Sequence, residues 1–294
     1  MTCKINKKRV LKKNVKYYII GLASILGISL VAILGTHIIS GNTRDELISN
    51  KENELISKEI LNSKDSTIIS LVEESNEYPK AKKILNNIDL YPKELLDLAA
   101  KKPEAIDFVS DYIYNESKTN KKISVKDDYK KGEIPLFLQW DERWGYDKYG
   151  SEFIAIDGCG PTSLAMVAVG LTGNTSINPK VVSDFAYNNG YYVEGVGSKW
   201  SLMTDGASKF GLKGKEIPLS KEVIISTLKK GEPIIAAMGP GTFTTKGHYI
   251  VLTGIDKDGN IIVNDPDSKE RSNKTWDIDI FMKETKNLWK FSVA

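Results

Sequence analysis

The chain has 294 residues, 41% hydrophobic and 27% charged, long enough for one sizeable domain with additions and too apolar for a disordered polymer. Its formal charge of +3 invites an acidic partner, yet residues 1–41 carry seven bases and no acid, leaving 34 bases against 38 acids elsewhere. The body is mildly acidic, so nucleic acid is not the expected partner.

Taken in chain order, residues 1–16 form a basic tail, predicted to be cytoplasmic. Residues 17–40 (YYIIGLASILGISLVAILGTHIIS) then run without a charge. Crossing the hydrocarbon takes about 20 largely apolar residues, and this run supplies them. A cleaved secretory signal has a shorter apolar region and a small-residue cleavage site, whereas this run ends in THIISGN. A single-pass anchor is expected, with the basic side cytoplasmic and the body extracellular; secretion after signal cleavage is the alternative. Residues 41–64 are polar, with apolar pairs at 47/48, 55/56 and 60/61, and read as a solvated helical stalk. Pro79, Pro92 and Pro103 each precede a helix-forming stretch, and proline favours the first helical position. A cluster of short helices is therefore expected over 65–118, with Leu95, Leu96, Leu98, Ile106, Phe108, Val109 and Ile113 facing a core. The charged stretch 119–133 reads as a linker.

From Ile134 to Ala294 the texture turns to aromatics, glycines and β-like runs, opened by IPLFLQW. A helix should start at Cys159, between Gly158 and Gly160. Further helical stretches are expected near 179–188, 200–210 and 220–230. Strands follow at 233–239, 248–256 and 260–266, the last two joined by DKDGN, a hairpin signal. Helix first and antiparallel sheet second is an α+β order.

The exported region holds one cysteine, Cys159, and one histidine, His248; the other cysteine, Cys3, lies in the basic tail. No internal disulfide can form outside the membrane. A helix start favours an anion, so Cys159 is placed where a nucleophilic thiolate is supported. His248, at a strand start, can serve as its base. Asp265, ending the strand hairpinned to that of His248, can orient the imidazole. Gln139 is a candidate donor to a developing oxyanion, beside the Cys159 backbone NH. One thiol and one imidazole are too few for zinc. DKDGN lacks the glycine position and flanking helices of a calcium loop, so it reads as a turn. Neither a metal nor a cofactor is expected. The glycine runs GYYVEGVGSKW and GPGTFTTKG fit no nucleotide-binding motif and read as mobile cleft walls. Trp140, Trp144, Trp200, Tyr191 and Tyr192 read as core or cleft packing.

Four blocks, IPLFLQWDERWG, GCGPTSLAMVAVGLTG, PIIAAMGPGTFTTKGHYIVLTGID and IIVNDPDS, strongly resemble the C39-like bacterial cysteine peptidases of the papain-like superfamily, over about 134–294. The resemblance implies a papain-like α+β fold, with Cys159 as nucleophile, His248 as general base, Asp265 as orienting residue and Gln139 in the oxyanion hole. The helices over about 78–115 also look like those preceding this domain in clostridial and related Gram-positive members. Classical C39 domains sit on the cytoplasmic side of peptide exporters and cut after double glycine. With no transporter here, that specificity is not carried over. The expected activity is cleavage of a peptide or amide bond in a peptide, protein or cell-wall peptide. The alternatives are acyl transfer by the same residues, as in a transpeptidase, or a binding module without turnover.

Overall fold

A computed structural model describes residues 56–115 and 122–294. The basic tail with Cys3, the apolar run 17–40 and the stalk up to residue 55 lie outside the described residues. Among the described residues, no helix is long and apolar enough to cross a membrane. The chain divides into two compact units, 1–61 and 62–294. In the first, the described residues include one turn of helix, Lys58–Leu61, with no buried side chain.

The second unit opens with four short helices, α1 (Ser66–Glu74), α2 (Lys80–Asn86), α3 (Lys93–Lys101) and α4 (Ile106–Asn115). Asp65 starts α1 by accepting the Thr67 and Ile68 amides, which have no partner within the helix. Pro79 and Pro92 stand at the caps of α2 and α3, one residue earlier than expected, and Pro103 opens a 3₁₀ turn, Pro103–Ala105. Leu95, Ile106, Phe108, Val109 and Ile113 are buried as expected, together with Leu71, Ile84 and Leu85. Leu96 and Leu98 are only partly covered. This helical group packs on the start of the aromatic-rich region. The rings of Phe108 and Tyr146 stack 4.3 Å apart, and the Tyr146 hydroxyl donates to the Phe108 carbonyl at 2.6 Å.

The stretch expected to be a linker is more than a tether. Val125 is fully buried in the core, with Ile123 and Tyr129 packed against it. Asp128 pairs with Arg143 at 2.6 Å. The other described charges of the stretch, Lys122, Lys126, Asp127, Lys130, Lys131 and Glu133, are exposed. IPLFLQW is not part of the sheet. It is held by side chain and backbone instead: the Asn264 amide donates to the Ile134 and Pro135 carbonyls, and the Gln139 NH to Pro266 O at 2.6 Å.

The central helix, α5 (Cys159–Thr172), is apolar all round, and every residue from Gly160 to Val169 is buried. It ends at Gly173, whose φ of 69° is left-handed. Next come α6 (Pro179–Asn188) and two 3₁₀ segments, Trp200–Met203 and Gly206–Phe210, where one helix was expected. Strand β1 (Leu212–Glu216) and helix α7 (Lys221–Lys229) lead into β2 (Ile234–Met238), β3 (His248–Ile255) and β4 (Ile261–Asn264). The chain finishes with β5 (Thr275–Trp276), α8 (Ile278–Glu284) and β6 (Thr285–Val293).

The six strands form one sheet in the order β1-β6-β2-β3-β4-β5, antiparallel at every step. Side chains alternate across a strand. Ile235, Ala237, Tyr249, Val251, Trp289 and Phe291 therefore pack in the core of α5, while Ile234, Ala236, Ile250, Leu252 and Leu288 join Ile224, Leu228 and Phe281 of α7 and α8. Both faces of β2 are covered, so all five of its residues are buried. The fold is α+β, with the helix that starts at Cys159 packed against an antiparallel sheet.

Candidate active site

The two glycines beside Cys159 have steric causes. A side chain at Gly158 would lie 2.4 Å from the Ile154 carbonyl, and one at Gly160 would lie 2.5 Å from the Ser198 hydroxyl. The short strand Gly197–Ser198 can approach the start of α5 only because residue 160 is glycine. Two tyrosines hold that strand. The Tyr249 hydroxyl donates to Ser198 O at 3.0 Å, and the Tyr149 hydroxyl shares a 2.8 Å bond with Ser198 Oγ. Cys159 is thus fixed, half-buried, in the first turn of a helix, where backbone NH groups lack intrahelical acceptors.

His248 is the first residue of β3, opposite Met238 of β2. Its strand and β4 are joined by the turn at Asp256–Asn260, which closes through Asp256 NH to Asn260 O at 2.9 Å. DKDGN is therefore a hairpin turn. The hairpin sets Asp265 beside His248, with Asp265 Oδ1 2.7 Å from His248 Nε2. Asp265 is wholly buried and His248 nearly so. Burial alone disfavours the imidazolium. Charge attraction and hydrogen bonding from Asp265, joined by Cys159, outweigh it and push the His248 pKa up to about 10. Burial likewise works against the Asp265 carboxylate, but His248 and Arg271 hold its pKa down at about 2. With Nε2 engaged by Asp265, the other ring nitrogen, Nδ1, is left for the thiol.

Cys159, His248 and Gln139 line one cleft of about 760 Å³. Gln139 is buried there, but its amide nitrogen donates to two carbonyls, Ala155 O at 2.8 Å and Ile156 O at 3.2 Å. Its Oε1 has no partner. The side chain lines the same cleft as Cys159 while its donors point at backbone. Asp265 lies behind His248, outside the cleft lining.

Both glycine-rich runs reach the cleft, through Gly195–Ser198 and Thr244–Gly247. GPGTFTTKG, expected to be mobile, is tied down. Thr242 donates to Glu284 through its NH at 2.7 Å and its hydroxyl at 2.8 Å, and Phe243 is buried against Trp276 and Phe281. Trp200 is half exposed in the cleft wall, edge-on to Trp289, whereas Trp144 is fully buried. Among the described residues, no three His, Cys, Asp or Glu side chains group as a metal site.

Arg271 escaped the sequence reading. Its Nε donates to Asp265 Oδ2 at 2.6 Å and its Nη2 approaches Asp267 Oδ2 at 3.4 Å. The Asp267 NH donates to Asp265 Oδ1 at 2.8 Å. One hint was available: only four of the 41 basic residues are arginines, and arginine serves where a fixed fork must meet carboxylates.

Residues 131–292, more than half of the chain, match the family model described as the Peptidase_C39 like family. No curated protein matches the chain.

Proposed function

The chain belongs to the Peptidase_C39 like family, and on that premise we propose that it is a cysteine peptidase-like hydrolase that cleaves a peptide or amide bond through an acyl-enzyme on Cys159. The observation that carries this reading is the His248–Asp265 pair, 2.7 Å apart, with His248 lining the same cleft as Cys159. An imidazolium with a pKa near 10 is the natural partner of a thiolate, and Asp265 fixes which ring nitrogen faces it.

The Cys159 sulfur attacks the substrate carbonyl carbon and forms the C–S bond, moving an electron pair onto the carbonyl oxygen. NH groups in the first turn of α5 face that developing charge. Gln139 joins them by releasing Ile156 O, the longer of its two bonds. Its orphaned Oε1 makes the resting amide position less favourable, since a buried unpaired acceptor costs about 1–3 kcal/mol. His248 Nδ1 gives its proton to the leaving nitrogen as the C–N bond breaks. His248 then takes a proton from water, which attacks the thioester and releases the acid and the thiolate.

Seven bases before the uncharged run 17–40 support a membrane anchor with the hydrolase domain outside the cell, where the substrate of the proposed reaction is a peptide, protein or cell-wall peptide.

The test is to incubate the purified chain with peptide libraries and with cell-wall fractions, beside Cys159→Ala, and to count newly exposed amino groups. New amines from the wild type alone support hydrolysis. Equal, background-level release from both across all substrates would contradict it.

A further inference from the structure

The four-helix region does not merely precede the hydrolase domain; it touches the segment that carries Asp265. Glu104, in the 3₁₀ turn before α4, accepts three hydrogen bonds from that segment. These come from Ser268 Oγ at 2.5 Å, the Lys269 NH at 2.9 Å and the Glu270 NH at 3.1 Å. Lys102, just after α3, pairs with Asp267 Oδ2 at 2.9 Å, with both side chains largely covered. From Lys102 the ionic contacts run without a gap through Asp267, Arg271 and Asp265 to His248. One of these helices, α3, supplies a wall of the cleft through Glu94, Leu98 and Lys101.

We propose that the helical region is a working part of the site, in which Glu104 and Lys102 are positioning residues that hold the Asp265–Arg271 segment in register behind His248. This rests on the reading of His248 and Asp265 as the general base and its orienting carboxylate. The physical need is plain. The segment from Asp265 to Ser272 leaves the sheet after β4 and holds a single helical turn, Lys269–Ser272. So short a turn has little stability of its own. Four of its polar groups are satisfied from a region more than 160 residues earlier in the chain. Glu104 is not among the cleft residues, so it acts on the site through the segment it binds, which carries Asp265 and the cleft residue Asp267. A misplacement of about 1 Å at a reacting group can cost roughly a hundredfold in rate.

Two histidines, His37 and His248, are present in the chain, so a sample labelled in histidine gives two imidazole signals to titrate by NMR. His248→Ala identifies the relevant one. The full-length chain is compared with Glu104→Ala, Glu104→Asp and Glu104→Gln. The glutamine keeps the reach and one acceptor oxygen for the two backbone NH groups, turns its NH2 to donate to Ser268 Oγ, and loses the charge, whereas the aspartate keeps the charge and loses the reach. The His248 midpoint should fall by about one unit or more in Glu104→Ala and by less in Glu104→Asp, and should stay near wild type in Glu104→Gln. A tenfold loss of proton affinity on that scale marks a displaced Asp265. If Glu104→Ala does not fold, Glu104→Asp decides alone. Wild-type midpoints in Glu104→Ala and Glu104→Asp, or a fall in Glu104→Gln as large as that in Glu104→Ala, would overturn the positioning role. A wild-type His248 midpoint that ignores both Asp265→Asn and Cys159→Ala would instead overturn the parent reading.

Discussion

Arg271 Nε lies 2.6 Å from Asp265 Oδ2, while His248 occupies the other oxygen of the same carboxylate. Asp265 is therefore fixed from both sides in a site with no exposure to water. The arginine neutralises it without competing for the oxygen that meets the imidazole. A buried carboxylate serving a histidine alone would have kept one oxygen unpaired, at a large cost.

Asp265→Asn keeps the shape and removes the charge. The largest support for the imidazolium is then lost, while burial continues to oppose it. The alkaline limb of turnover should move from near pH 10 down past the ordinary histidine value. The maximal rate should fall by roughly 10⁴, the order seen when a triad carboxylate becomes an amide. A pH–rate profile of the purified variant checks both.

Gln139→Ala should lower kcat by roughly 10²–10³ with little change in KM, as for loss of one oxyanion donor. Folding should not suffer in proportion, because the residue carries an unpaired buried oxygen in the resting state. Steady-state kinetics beside a thermal melt separates the two effects. A rise in KM in place of the fall in kcat would assign Gln139 to substrate binding.

Gly160→Ala places a methyl 2.5 Å from Ser198 Oγ and 2.7 Å from its Cβ. Overpacking of this kind costs about 1–3 kcal/mol. Adding Ser198→Gly should recover part of it, at the expense of the Tyr149 hydrogen bond. Urea unfolding of the two single variants and the pair measures the coupling.

Stability should depend on pH through the same ion pair. His248 has a folded pKa near 10 against an ordinary 6.5, so its contribution is complete below 6.5 and is lost as pH rises through 10. Asp265 is depressed to about 2 from 3.8, so its contribution is complete above 3.8 and is lost as pH falls through 2. Denaturation midpoints should be highest between those two windows and decline on the alkaline side. In His248→Gln that alkaline decline should be smaller.

The helix at Cys159 was legible because glycine on both sides of a cysteine marks a tight entry, and the residues after it are apolar all round. The β3–β4 hairpin was legible from its turn. By contrast, β6 is the strand between β1 and β2, yet TKNLWKFSV mixes lysines with aromatics and carries no clean alternation. Its Trp289 and Phe291 are covered by the distant α5 core, a tertiary cause that local pattern does not carry. The Gln139 position was readable, but the direction of its amide depends on the carbonyls of Ala155 and Ile156, set by a turn of helix at Ile154–Asp157. Nothing in the local sequence marks Lys102 or Glu104, since their partners lie more than 160 residues away.

The pairing of thiol and imidazolium is tested most directly by the rate at which iodoacetamide alkylates Cys159, mapped by mass spectrometry to exclude Cys3, in wild type and in His248→Ala. At about pH 6 the wild type should react at least roughly tenfold faster, and the two rates should converge at strongly alkaline pH, where an unaided thiol also ionises. Superimposable profiles across the whole range would contradict the pairing and, with it, the assignment of Cys159 as an activated nucleophile.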